Sequence, residues 1–227
     1  MLSARSFGGS GRALGRHVPA VAAGLQTRAA GSEAAAKIYE YRVYTLHPQH
    51  FPAFVKLSNE NMHMRTAHSK LLGYFMTEIG GVNEVVHLWE YESLAGRQKV
   101  REALVQDKGW MEGYMAKMRP MLQRQENSLL VATSETVLDE SKSGGVYELL
   151  LGPSDASWKA LRKENATEVG SFRVIGGAHL GQALSVWNYA SLAKVDATTE
   201  AIVSNGTTVP TSGYTKIAFP TPFSPLQ

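Results

Sequence analysis

Hydrophobic and polar positions alternate along IYEYRVYTL, Ile38–Leu46. Tyr39, Tyr41 and Val43 fall on one side and Glu40 and Arg42 on the other, which is the period of a strand. His47-Pro48 breaks the alternation. Over 51–68 the period lengthens, with Phe51, Phe54, Val55 and Met62 near helical spacing behind early prolines Pro48 and Pro52. Residues 71–79 (LLGYFMTEI) predict a second strand, Gly80-Gly81-Val82-Asn83 a hairpin turn, and Glu84–Tyr91 a third strand. The inward face of that third strand holds either Val85, His87 and Trp89 or Val86, Leu88 and Glu90, and alternation admits both. Ser93 is placed to cap a helix reaching about Gln106. Asp107 is placed to cap another over 108–122, with Met111, Met115, Met118 and Leu122 as its stripe and Pro120 weakening its last turn. A fourth strand is expected over 128–133. The order β-α-β-β-α-β, with an extra helix before the last strand, is that of a ferredoxin-like α+β unit.

The pattern then recurs. VVHLWEYESL at 85–94 returns as ALSVWNYASL at 183–192, so Trp89, Tyr91, Ser93 and Leu94 reappear as Trp187, Tyr189, Ser191 and Leu192. Val146-Tyr147-Glu148-Leu149 echoes Ile38-Tyr39-Glu40-Tyr41, residues 154–168 stand for the first helix, and FRVIGG at 172–177 echoes 74–81. Tyr39 and Tyr147 lie 108 apart but the two tryptophans only 98 apart, so the second copy is ten residues shorter, mostly in its first helix and hairpin. Within 195–210 only a short helix is expected, with a last strand at 214–219 and a terminal tail at 220–227. The chain therefore divides into a leader (1–37), a first repeat (38–138), a polar linker (139–145) and a shortened second repeat (146–227). One such four-stranded sheet, with helices on one face, leaves its other face bare. Two copies closing face to face would bury it, as a pseudo-dimer of the dimeric α+β barrel type.

Charge and composition narrow the function. The net charge of +3 is misleading, because residues 1–37 hold Arg5, Arg12, Arg16, Arg28 and Lys37 against a single acid, Glu33. That segment carries +4 and the remainder −1. An acid-poor segment with arginines spaced among small and apolar residues reads as a disordered mitochondrial transit peptide, cut between Arg28 and Lys37. The nearly neutral remainder offers no basic patch for nucleic acid. No run approaches the roughly 20 apolar residues of a membrane helix. With no cysteine, thiolate chemistry, disulfides and Cys-based zinc sites are excluded. No G-x-G-x-x-G follows a strand, so no nucleotide cofactor is implied.

The strings MHMRTAHSKLLGYFMTEIGG and VVHLWEYESLAGRQKVREALVQDKGW, between Met62 and Trp110, closely resemble the NIPSNAP family, and the ending PTPFSPLQ points to its third homologue type. The resemblance runs over 38–227 and is densest through Leu138. It implies two ferredoxin-like repeats and a mitochondrial protein, in the matrix or membrane-associated, with the cytosol as a second station. It also implies a family without an established enzyme activity, whose members act through protein partners in mitophagy, autophagy receptors among them, or are named for vesicular transport. Peripheral membrane contact and homo-oligomerisation are compatible with it. The second repeat departs from the family pattern by its shortness.

Five residues are candidates for a ligand or partner site: His63, Arg65, His68, Glu78 and His87. His63 and His68 are five apart and so do not face each other as an i,i+4 metal pair would. With Arg65 they form either an anion-binding cluster or a helix end whose cations complement the macrodipole. Glu78 and His87 flank the hairpin on adjacent strands, as a general base with its carboxylate or as an ordinary cross-strand polar pair. A pocket in the first repeat using these residues, as a small-ligand carrier or a monooxygenase-like barrel enzyme, is the alternative to the partner reading, by fold analogy alone. Trp89, Tyr91, Trp187 and Tyr189 read as core aromatics.

Overall fold

Eight strands form a closed antiparallel barrel because each half of the chain makes a four-stranded sheet whose two edges find the edges of the other. The structure, a computed structural model, describes residues 37–133, 144–153, 156–206 and 212–226. The expected leader (except Lys37) and the expected linker (except Gly144 and Gly145) lie outside them. The first half supplies β1 (Ile38–Leu46), α1 (Phe51–Thr66), β2 (Lys70–Ile79), β3 (Glu84–Tyr91), α2 (Leu94–Gln106), α3 (Ala116–Met118) and β4 (Leu122–Ala132). The second supplies β5 (Val146–Gly152), α4 (Ala156–Ala160), β6 (Ala166–Gly177), β7 (Ala183–Tyr189), α5 (Leu192–Ser204) and β8 (Tyr214–Pro220).

Around the barrel the order is β1-β3-β2-β8-β5-β7-β6-β4, and β4 pairs with β1 to close it. The halves therefore join along their edges, at β2–β8 and β4–β6, and their bare faces close on one lumen as a barrel. Edge pairing satisfies the row of backbone donors and acceptors that stacked sheets would leave open. At one seam Lys216 reaches back to the β2–β3 hairpin, donating to the Gly80 carbonyl at 2.5 Å and to Glu84 at 2.6 Å. Gly80 has φ 89°, and a Cβ there would stand 2.2 Å from the Thr215 carbonyl oxygen, so only glycine suits that crossing.

Both sheet faces are buried, for different reasons. The inner face fills the lumen with side chains from both halves, including Tyr39, Tyr41, Val86, Leu88, Tyr147, Leu149, Phe172 and Val186. Tyr39 meets Phe172 edge-on at 5.3 Å, and Phe75 meets Tyr147 at 4.9 Å. The outer face of the first half lies under the helices: Tyr44, Tyr74, Val85 and Trp89 pack with Phe54, Met62, Leu104, Trp110 and Tyr114. The two alternatives for β3 are thus both buried, Val86 and Leu88 toward the lumen, Val85, His87 and Trp89 toward the helices.

Several boundaries move once tertiary contacts act. α2 begins as expected, with the Ser93 hydroxyl accepting from the Gly96 N–H at 3.0 Å. Asp107 likewise accepts from the Trp110 N–H at 3.0 Å, but the segment after it is a π-helical stretch, Gly109–Met115, followed by α3 and a 3-10 turn, Arg119–Met121. β4 starts at Leu122, six residues before the expected start, because pairing with β1 carries its polar first half. In the second half α4 is only five residues long. β6 is longer than expected, and α5 runs for 13 residues where only a short helix was expected. Val195 of α5 packs on the cluster holding Trp187 and Tyr189, which outweighs its unfavourable threonines. Phe75 faces Val86 and Phe172 faces Leu184, so the second hairpin is the longer by one residue and the whole deficit falls between β5 and β6. The expected tail is also built in: the Thr221 N–H donates to the Tyr74 carbonyl at 2.9 Å, and Leu226 is fully buried in the lumen cluster.

Candidate functional site

Three outward residues of β1 and β3, Glu40, Arg42 and His87, are polar, yet helices cover them, so each needs a partner. Glu40, 1% exposed, accepts from Arg97 at 2.6 and 3.0 Å, from Arg42 at 3.1 Å, from Asn127 at 2.7 Å and from the Tyr91 hydroxyl at 3.3 Å. Burial opposes ionisation of Glu40, but the Arg97 hydrogen bonds, the Arg42 charge and the Asn127 amide outweigh it and hold the carboxyl at about 2. Arg65 leaves the end of α1 for the sheet: it donates to the Tyr91 hydroxyl at 2.7 Å and to Ser69, with its guanidinium 4.1 Å from the centre of a Trp89 ring.

Beside this network His87 sits stacked on Tyr74, with ring centres 4.4 Å apart and planes 3° from parallel, and meets Tyr44 edge-on. The Trp89 indole N–H donates to His87 Nδ1 at 2.6 Å. An indole N–H can only donate, so Nδ1 is an acceptor and the neutral ring carries its proton on Nε2. Burial, reinforced by the Arg42 charge, pushes the imidazole well below its ordinary range, so the ring is neutral at physiological pH. His87 Nε2, the Tyr74 hydroxyl and Arg42 Nε are buried without a hydrogen-bond partner.

All three residues line an open cavity of about 460 Å3 between the outer sheet face and the helices. Its walls are Trp89, Trp110, Tyr114 and the methionines 62, 111, 115 and 118. Its lining carries four arginines (Arg42, Arg65, Arg101, Arg119) against one carboxylate, Glu102.

Of the five candidate residues, the structure brings two together here, Arg65 and His87. Arg65 is therefore no helix-end cation but a buried fork. His63 and His68 are both exposed, His68 on the turn beyond α1, and neither lines the cavity. Glu78 does not approach His87: Tyr74 is the residue opposite His87, and Glu78 lies exposed at a bulge further along β2. The His–Glu pair thus has no general-base geometry, and the proton on His87 Nε2 makes that atom a donor. Sequence reasoning missed Glu40, Arg42, Tyr44, Tyr74 and Arg97. The available signal was Glu40, which recurs as Glu148 with Tyr91 recurring as Tyr189. Among the described residues no group of three or more His, Asp or Glu is placed to hold a metal ion, and no helix is long and apolar enough to cross a membrane.

The second half repeats the frame and not the cavity. Glu148 accepts from Arg162 at 2.7 and 2.8 Å and from the Tyr189 hydroxyl at 2.7 Å, as Glu40 does from its arginines and Tyr91. Trp187 donates its indole N–H to the Ser185 hydroxyl at 3.1 Å, where Trp89 uses His87. By register, Leu150 stands where Arg42 is, Gly152 where Tyr44 is, and Ser171 where Tyr74 is. The shared residues are scaffold, and the polar atoms without partners at the cavity belong to the unshared ones, Arg42, Tyr74 and His87.

The NIPSNAP family model matches residues 39–135. NipSnap homolog 3A of Homo sapiens is 38% identical over 112 residues, 49% of this chain and 45% of that protein. The chain thus spans about half the length of the relatives it matches in this way. A NIPSNAP-like domain protein from Burkholderia xenovorans is 34% identical, over 45% of this chain and 90% of that one, with a TM-score of 0.42. An anthrone oxidase-like protein covers 82% of this chain and 91% of its own at 7% identity, with a TM-score of 0.50, which is a likeness of fold alone.

Proposed function

Because the chain belongs to the NIPSNAP family, we propose that it is a non-enzymatic mitochondrial protein that acts through protein partners, autophagy receptors among them, in mitochondrial quality control or vesicular trafficking. Its barrel is read here as two ferredoxin-like repeats acting as a pseudo-dimer, since each half holds its strands in the order fourth, first, third, second. Residues 1–37 are the import signal in this reading. The observation that carries the partner role is a repeated apolar surface. Leu94 and Leu192 open α2 and α5 at 57% and 50% exposure, and Val105 and Val203 stand exposed near the ends of the same helices. Large apolar side chains exposed at matching places in both halves suit a protein surface rather than water. The lumen, packed with side chains from both halves, supports the same reading.

The test uses the full chain, imported into isolated mitochondria and then presented to purified autophagy receptors. Deleting 1–37 should abolish import. Leu94→Glu with Leu192→Glu should weaken receptor capture at least about tenfold while moving Tm by no more than a few degrees, as exposed substitutions do. Import without the leader, or a receptor that binds the double variant as well as the parent, would count against the proposal, as would a parent chain that binds no receptor.

A further inference from the structure

The cavity under the helices of the first half has a chemistry that the partner role does not use. Three polar atoms of residues that line it are buried without partners: His87 Nε2, Arg42 Nε and the Tyr74 hydroxyl. His87 is 97% buried by its 3% exposure, and Tyr74 is 1% exposed. Two of these atoms are N–H donors with fixed directions. Arg42 uses its two terminal nitrogens, one toward Glu40 at 3.1 Å and one toward the Tyr44 hydroxyl at 2.6 Å, and Nε is its nitrogen without a partner. Buried donors without acceptors are costly and native proteins satisfy them. The missing partner is therefore an acceptor.

The charge of that acceptor follows from the lining. Arg97, outside the lining, offsets the Glu40 charge through two hydrogen bonds, so Glu40 does not cancel the charge of Arg42. The lining keeps four guanidinium groups against Glu102. An anion is stabilised there. The walls decide what the anion is attached to. Trp110 stacks on Tyr114 at 4.5 Å, and four methionines complete the apolar surface, which favours an apolar body of adaptable shape. A dianionic head such as a phosphate would have more hydration to lose against such walls than a carboxylate. A cavity of about 460 Å3 falls within roughly the 300–1,000 Å3 range of small-molecule sites.

We propose that this cavity is a binding site for a small amphipathic carboxylate, with its head at Arg42 and His87 and its apolar body against Trp110 and the methionines. The second half supplies an internal control for that assignment. There Leu150, Ser171 and Ser185 replace Arg42, Tyr74 and His87. The scaffold bond from the tryptophan persists with a hydroxyl as its acceptor, at 3.1 Å. His87→Ser in the first half therefore removes the free N–H donor and leaves Trp89 an acceptor.

The experiment titrates the full chain with decanoate, with decanol as the uncharged match, and with the anionic fluorophore 8-anilinonaphthalene-1-sulfonate as reporter. Decanoate should quench tryptophan emission, since Trp89 and Trp110 line the site, and should displace the reporter at one molecule per chain. Decanol should be about tenfold weaker or worse. His87→Ser should weaken decanoate about tenfold while changing decanol little. Met115→Trp, which fills the cavity without removing a charge, should abolish both and also serves if the serine variant does not fold. The proposal is overturned if decanol matches decanoate, if near-UV dichroism shows a folded His87→Ser that binds decanoate as the parent does, if Met115→Trp folds and still binds, or if decanoate shows no saturable binding, which would leave ordered water as the partner of these donors.

Discussion

Arg162→Met should lower the unfolding free energy by about 3–5 kcal/mol at neutral pH, a large share of the stability of a domain this size. Arg162 is 1% exposed and Glu148 4%. The pair is joined by two bonds, at 2.7 and 2.8 Å, and a third guanidinium nitrogen donates to the Trp158 carbonyl at 2.8 Å. Methionine fills most of the space but leaves the Glu148 carboxylate in a dry site with only the neutral donors Tyr189 and Thr215, at 2.7 and 2.8 Å. The large cost comes from that uncompensated charge rather than from the loss of attraction itself. A double variant separates the causes. Glu148→Gln combined with Arg162→Met should recover much of the deficit, because the neutral amide keeps an acceptor for one of the Tyr189 and Thr215 hydroxyls and offers a donor to the other. Urea unfolding of the four proteins in the double-mutant cycle measures the deficit and its recovery, and an Arg162→Met deficit below about 1 kcal/mol would refute the argument.

Glu40 should control the acid limb of stability. Its folded carboxyl sits at about 2 against an ordinary 4.5. A depressed folded pKa means the contribution is whole above 4.5 and drains away as the pH falls toward about 2. That difference corresponds to about 3 kcal/mol at neutral pH. Glu40→Gln should therefore lose about this much at pH 7 and nearly nothing near pH 2, flattening the curve between. His87 adds a separate window. Its folded pKa is depressed by burial and by Arg42, so the unfolded chain takes up its proton first as the pH falls below 6.5. Stability should decline from there, and His87→Ser should remove that earlier slope while leaving the Glu40 limb. Chemical denaturation between pH 7 and 2 resolves the two. An unchanged acid limb in Glu40→Gln would mean that Arg97 and Arg42 do not hold the carboxylate as drawn.

Much of the scaffold was legible along the chain. The Trp-Tyr-Ser-Leu frame at 89–94 and 187–192 marked a repeated strand-to-helix joint, and the structure places β3–α2 and β7–α5 there. Both joints repeat because each buries a tryptophan and a tyrosine on the outer sheet face, whatever the loops do. The candidate site was legible only in part. Arg65 stands out beside His63 and His68 at the end of a helix, and His87 as a histidine on a strand next to the hairpin. Glu40 and Arg42 were read as the polar side of a strand, since period-2 alternation does not say whether water or a helix covers that side. Glu78 and His87 were paired from sequence proximity across the hairpin, but the bulges of β2 set a register in which Tyr74, not Glu78, lies against the imidazole.

Sequence by itself determined what local physics can determine: the strands and first helices from their periods, the turns from glycine, the two-copy organisation from the recurring block, and the absence of cysteine chemistry. Tertiary structure alone decided how the copies meet and which polar residues are buried. Edge-to-edge closure depends on backbone groups that carry no side-chain signature. The length of α5 depends on packing against Trp187 and Tyr189 rather than on its own propensity. The cavity exists because α1, α2 and the π-helical stretch roof one outer sheet face and gather Arg42, Arg65, Tyr74 and His87 from four elements beneath it. No window along the chain contains that gathering, because it is set by barrel register and helix packing.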